Sequence, residues 1–209
     1  MSWFGLILAV LPPTTPVVSS ASQEFAAVVA VRPDAAQGEK LFETCAACHG
    51  RNGAGASDGT VPAIAAQHFR VLVRELVDFR HDERKDERMQ HFANQHHLSG
   101  AHDIADVAAY ISRLPATRSA DHGSGGSLEH GAHAYARLCA SCHGAAGGGD
   151  DRRGYPRLAG QHYSYLLEQL QDAAQDQRPN LSAEHVRLLQ SLQQPNVAAI
   201  ADYLSRLGP

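Results

Sequence analysis

Apolar positions recur along this chain at helical spacing, and each run occurs twice. Leu72, Leu76 and Phe79 fall on one face of a predicted helix; Leu166, Leu167 and Leu170 do the same in the second half. Ile104, Val107, Ala108 and Ile111 predict a closing helix, matched by Val197, Ile200, Ala201 and Leu204. Pro195 suits the first turn of that last helix, where no backbone donor is missed. Leu41 with Phe42, and later Tyr135 with Leu138, predict a helix running into each of two cysteine clusters. Glycine-rich loops follow the clusters: Gly50, Gly53, Gly55 and Gly59, then Gly144, Gly147, Gly148 and Gly149. No strand-rich pattern surrounds either cluster, so the expected fold class is all-α, with these apolar residues forming its core.

Sliding the chain against itself by 94 positions aligns the halves. Leu41 falls on Tyr135, Pro62 on Pro156, Gln67-His68 on Gln161-His162, and Leu98 on Leu192. The first copy then carries one extra residue before Tyr110 meets Tyr203. A tandem duplication predicts two similar domains, 31–114 and 128–209, joined by a linker over 115–127 rich in Gly, Ser and Ala. Residues 1–21 read as an export signal: an apolar run over 3–11, Pro12-Pro13, and a small-residue cleavage site at Ser19-Ser20-Ala21. No Lys or Arg precedes the apolar run. An uncleaved leader is the competing reading, although nine residues are too few to span a bilayer as a helix.

Composition adds a constraint. Of 209 residues 44% are apolar, yet there are only one Trp and six Phe. A protein-only core is thin for two domains of about 80–90 residues, and a large flat apolar group in each would help to fill it. The net charge of −4 has no basic face or tail behind it, which excludes nucleic-acid binding. The charged run over residues 80–88 holds four basic and four acidic residues and reads as a solvated helix face.

The cysteines supply the candidate chemistry. Cys45-Ala46-Ala47-Cys48-His49 and Cys139-Ala140-Ser141-Cys142-His143 are both C-x-x-C-H and use all four cysteines of the chain. That spacing is the attachment site of a c-type haem, with two thioethers from the cysteines and a proximal ligand, His49 or His143, from the histidine. Two covalently bound haem c groups are expected. A redox disulfide or a zinc site also uses C-x-x-C. The first belongs in a β/α pattern, and the second leaves the trailing histidines unexplained. Thioether attachment takes place outside the bacterial cytoplasm, which independently points to the periplasm.

With these motifs, and with Pro-Arg-Leu-Ala-Gly-Gln-His-Tyr-Ser-Tyr-Leu at 156–166 and closing helices that reach Tyr110 and Tyr203, the chain resembles the two-domain dihaem class I cytochromes c of the cytochrome c4 type over about residues 35–209. The resemblance implies two tandem cytochrome c domains, each wrapped around its haem. It implies that the carbonyls of Pro62 and Pro156 accept a hydrogen bond from the proximal histidines. It also implies an axial methionine seven residues before the leucine that opens each final segment, and here the sequence departs from the family. Those positions are His91 and His185, each 42 residues after its proximal histidine. The second domain has no methionine, and outside the leader the chain has only Met89. The distal expectations are therefore His91 and His185, with Met89 as the alternative at the first haem, or else an open iron. His68 and His162, which repeat but follow the proximal ligand by only 19 residues, read as structural.

A second imidazole lowers a haem potential relative to methionine sulfur and leaves no open coordination position. The expected function is thus periplasmic electron transfer rather than catalysis. The expected partners are redox proteins: a quinol-oxidising complex, a dehydrogenase, or a terminal reductase or oxidase. The alternatives are a haem enzyme or sensor with an open iron, and an electron-transfer subunit of a larger oxidoreductase. No transmembrane span is expected beyond a retained leader.

Overall fold

The computed structural model describes residues 19–208, so the expected leader lies almost entirely outside the described residues. The chain forms ten helices among these residues: α1 (Ser20–Ala30), α2 (Ala35–His49), α3 (Phe69–Arg80), α4 (Glu87–Ala93), α5 (Ala101–Arg113), α6 (Leu128–Leu138), α7 (Ala140–His143), α8 (Tyr163–Ala174), α9 (Ala183–Gln190) and α10 (Gln194–Arg206). No strand occurs among them, and no helix is long and apolar enough to cross a membrane.

Each half is built on one close helix crossing. In the first, α2 crosses α5 where Gly38 leaves no room for a side chain: a Cβ there would lie 1.9 Å from the Asp106 carbonyl oxygen. In the second, α6 crosses α10 at Gly131, where a Cβ would lie 2.1 Å from the Ala199 carbonyl oxygen. An aromatic pair closes each crossing: Phe42 on Tyr110 with ring centres 5.3 Å apart, and Tyr135 on Tyr203 at 5.8 Å. Phe42, not Leu41, is therefore the counterpart of Tyr135. The second copy has one more residue between this aromatic and its first cysteine, and the helix breaks at Cys139 between α6 and α7 to absorb it. Helices α3 and α8 bury the predicted apolar faces, with Leu72 and Leu166 in the two cores.

Helix α1 precedes the expected start of the first domain at 31 and packs on α3 and α5. Ala21 and Val28 are fully buried. Glu24 pairs with the buried Arg80 and lies 2.6 Å from His81 Nε2, while Arg80 donates onward to the carbonyl of Ala93 at 2.8 Å. Phe25 lies under the Arg74 guanidinium at 3.9 Å.

The charged run over 80–88 is not a solvated helix face. Residues 81–86 are not helical, and the Arg84 side chain, 12% exposed, lies against the second half. It pairs with Glu75 and donates to Tyr165 Oη and Gln169 Oε1, both at 2.7 Å. Arg178 reaches the other Glu75 oxygen at 3.3 Å. Burial alone would raise the Glu75 carboxyl, but the two guanidinium groups hold it below its usual value. Of the run, Arg84 reaches across the domain boundary, to the neutral Tyr165 and Gln169, a contact that no local pattern reveals.

The 115–127 segment is docked on the second half. Ser119 Oγ lies 2.8 Å from His162 Nδ1, and Asp121 Oδ2 accepts from Ser164 N at 2.7 Å.

Asp78 is 1% exposed and accepts a hydrogen bond from Asn180 Nδ2 at 2.9 Å, again across the boundary. Its Oδ1 has no hydrogen-bond partner, and burial pushes the carboxyl up to about 6. A carboxyl raised on folding binds its proton more tightly in the native state, so its stability penalty is absent below about pH 4 and complete above about pH 6. In urea unfolding of the holoprotein, Asp78→Asn should gain on wild type by roughly 2–3 kcal/mol as the pH rises from 4 to 7. A constant difference over that range would show that Asp78 is ionised at no cost.

Candidate haem sites

Each C-x-x-C-H motif ends a helix. α2 carries Cys45, Cys48 and His49 on its last turn, and the short α7 carries Cys142 and His143 just after Cys139. Gly50 and Gly144 then turn the chain with φ of 75° and 79°. That turn brings the following loop back beneath the histidine: Gly55 N donates to the His49 carbonyl and Gly149 N to the His143 carbonyl, both at 2.8 Å.

His49 and His143 are buried, 6% and 8% exposed. His49 Nδ1 lies 3.0 Å from the Pro62 carbonyl oxygen, and His143 Nδ1 lies 3.0 Å from that of Pro156. A carbonyl only accepts, so Nδ1 carries the proton and Nε2 presents a lone pair. Burial lowers the affinity of both rings for a second proton, against the opposing pull of these carbonyls. Two buried neutral imidazoles, each with a fixed tautomer and a free Nε2, are the donors an iron–porphyrin needs. Cys45 and Cys139 are half-buried, and burial pushes each thiol up to about 11. Cys48 and Cys142 are exposed. One cysteine of each pair thus lies towards the core and the other at the surface, which fits a flat group held edge-on. The residues fit haem c at both sites.

On the far side the two halves differ. His185 faces His143 with ring centres 6.2 Å apart. Two imidazoles sharing one metal ion through bonds of about 2 Å have ring centres roughly 6 Å apart. Burial lowers the His185 proton affinity, and His143 and Arg178 add to the effect. His91 is exposed, and its Nε2 lies 3.2 Å from His97 Nε2. His49 is influenced instead by Arg88 and Asp86, at the start of α4.

Helix capping supplies the register. Asp86 caps α4, its Oδ1 accepting from Met89 N at 3.0 Å; Ser182 caps α9, its Oγ accepting from His185 N at 3.2 Å. Met89 and His185 are therefore each the third residue of their helix, and each is followed four residues later by a buried apolar side chain, Ala93 or Leu189. By this register Met89, not His91, is the counterpart of His185. The equal count of 42 residues arises from unequal loops: 81–86 precede α4, whereas the longer 175–182 precede α9.

The Gln-His pairs occupy the seam between the halves. His68 Nε2 donates to the Gly148 carbonyl and His162 Nε2 to the Ala54 carbonyl, both at 2.8 Å. His68 thus reaches the loop that follows His143, and His162 the loop that follows His49. The signal for this lay in the sequence, because a polar pair repeated without catalytic spacing asks for a repeated partner.

A family model described as cytochrome c matches residues 35–115 and again 128–208. Cytochrome c4 of Azotobacter vinelandii is 30% identical over 192 residues, 83% of this chain and 89% of that protein. A thiosulfate dehydrogenase electron acceptor of Stutzerimonas stutzeri is 35% identical over 207 residues, 88% of this chain and 92% of that protein. The crystal structure of reduced cytochrome c4 from Pseudomonas stutzeri superimposes with a TM-score of 0.75 at 25% identity, over 85% of this chain and all of that one.

Replacing Cys139 and Cys142 together by serine should leave a protein whose intact mass is lower by one haem and whose first site is still loaded. Retention of both haems under denaturing conditions would show that attachment does not run through these sulfurs.

Proposed function

The chain belongs to the cytochrome c family, and on that premise we propose that it is the periplasmic electron acceptor of a thiosulfate-oxidising dehydrogenase. It is a dihaem protein of the cytochrome c4 kind, binds two covalent haem c groups, and is an electron carrier rather than an enzyme. The observation that carries the finer reading is the 35% identity, over nearly the whole length of both chains, with the thiosulfate dehydrogenase electron acceptor. A donor of this kind is a dehydrogenase, one of the partner classes expected from the sequence.

Bound haem supplies a one-electron iron centre whose potential follows its axial ligands. The thioethers are assigned to Cys45 and Cys48, and to Cys139 and Cys142. His49 and His143 are the proximal ligands, oriented by Pro62 and Pro156. At the second haem the distal ligand is His185, supported by the 6.2 Å ring separation. At the first it is Met89, supported by the shared helix register and by the pairing of His91 with His97. Methionine sulfur raises a haem potential and a second imidazole lowers it, so with these ligands the first domain would hold the group of higher potential and would draw electrons from the second. Cys48 and Cys142 are exposed, so a group attached there would be within reach of a donor and an acceptor.

Near-infrared magnetic circular dichroism of the oxidised holoprotein should give one imidazole–thioether band and one bis-imidazole band. Met89→Leu should abolish the first band and His91→Leu should leave both. Two bis-imidazole bands would return the first haem to His91, and a high-spin signal would favour a haem enzyme or sensor. In stopped flow, the oxidised protein should be reduced by thiosulfate only when a thiosulfate dehydrogenase is present. No acceleration by that enzyme would sink the partner assignment, leaving the carrier role to a quinol-oxidising complex.

A further inference from the structure

Gln67 and Gln161 take no part in haem attachment or ligation, yet each ends beside the proximal loop of the opposite domain. Gln161 Oε1 accepts from Ala63 N at 2.9 Å, and its Nε2 donates to the Ala63 carbonyl at 2.7 Å. Gln67 does the same to Arg157: its Oε1 accepts from Arg157 N at 2.9 Å and its Nε2 donates to the Arg157 carbonyl at 3.0 Å.

The amides they hold matter. Ala63 N belongs to the same peptide group as the Pro62 carbonyl, which accepts from His49 Nδ1 at 3.0 Å. Arg157 N shares its peptide group with the Pro156 carbonyl, which accepts from His143 Nδ1 at 3.0 Å. Each proximal imidazole is therefore linked through one peptide to a glutamine of the other domain. Resonance ties the two ends of a peptide together, so an acceptor on its N–H draws electron density onto its carbonyl oxygen. A more negative carbonyl pulls harder on the Nδ1 proton and makes Nε2 a stronger donor to the iron.

We infer that Gln67 and Gln161 are crossed positioning residues, each strengthening the proximal ligand of the haem in the opposite domain. Gln161 holds the first haem's potential down and Gln67 holds down the second's. The inference rests on His49 and His143 being the proximal ligands. It makes docking of the domains part of what sets both potentials, because a domain on its own would lose the other's glutamine.

The test uses the full two-haem protein as wild type, Gln161→Met and Gln67→Met. Each haem is titrated by its own near-infrared band. The imidazole Nδ1–H resonances of His49 and His143 are followed by NMR in reduced, 15N-histidine-labelled protein. Gln161→Met should raise the first haem's potential, shifting the electron equilibrium between the haems about threefold toward the first. It should move the His49 Nδ1–H upfield and leave His143 in place. Gln67→Met should do the converse. A general loosening of the interface would shift both haems in both variants, and that pattern overturns the inference. No shift, or a shift confined to the mutated domain, overturns it equally. If Gln161→Met does not accumulate with two haems, Gln161→Asn is too short to reach Ala63 N and must show the same crossed pattern. Wild-type protein without ring protons shifted by a haem at His49 and His143 would refute the ligand assignment itself.

Discussion

The hydrogen bond from a buried imidazole to a proline carbonyl is the constraint on which both sites depend. His49 and His143 would present no fixed donor nitrogen if their rings could turn or exchange protons between nitrogens. The carbonyls of Pro62 and Pro156, each 3.0 Å away, hold the proton on Nδ1 and leave Nε2 as the donor. The loops that bring those carbonyls into place are pinned on both sides. Gly55 and Gly149 return each loop to the end of its histidine helix, and the glutamines of the opposite domain accept from the N–H of the very peptides that carry those carbonyls.

The same two loops form much of the contact between the domains, so domain docking and ligand geometry are not separate problems. His68 and His162 donate into the loops at Gly148 and Ala54. Beyond them, the ionic part of the seam is lopsided. Glu75 accepts from Arg84 and Arg178, and Asp78 takes one hydrogen bond from Asn180. Buried ion pairs contribute little net stability once desolvation is counted, but a mismatched pairing leaves a bare charge in the interior. This one selects a single relative placement of the domains, which a carrier passing electrons between two fixed centres requires.

On the distal side the duplication has diverged. The two halves keep a capped short helix, but its third residue is Met89 in one and His185 in the other. With these residues as the distal ligands proposed above, one change of ligand atom type would separate two otherwise similar potentials. Symmetry in the backbone and that asymmetry in the proposed ligands would together give the molecule a direction for electrons.

Helical periodicity, the paired C-x-x-C-H motifs and the tandem repeat are local or short-range signals. They sufficed for an all-α fold, two cytochrome c units, two covalent haems and the helices around Leu72, Leu166, Ile104 and Ile200. Registers and pairings across loops were beyond them. Counting residues matched Leu41 to Tyr135 and His91 to His185, because insertions in different loops offset one another. Only the helix break at Cys139 and the caps at Asp86 and Ser182 reveal the true correspondences. The charges over residues 80–88 balanced in sequence and so looked solvated, yet Arg84 is held by Glu75 of its own half and by Tyr165 and Gln169 of the other domain. Periodicity records which face of a helix is buried, whereas the choice of what it is buried against is made by long-range packing, and that was left to the tertiary structure.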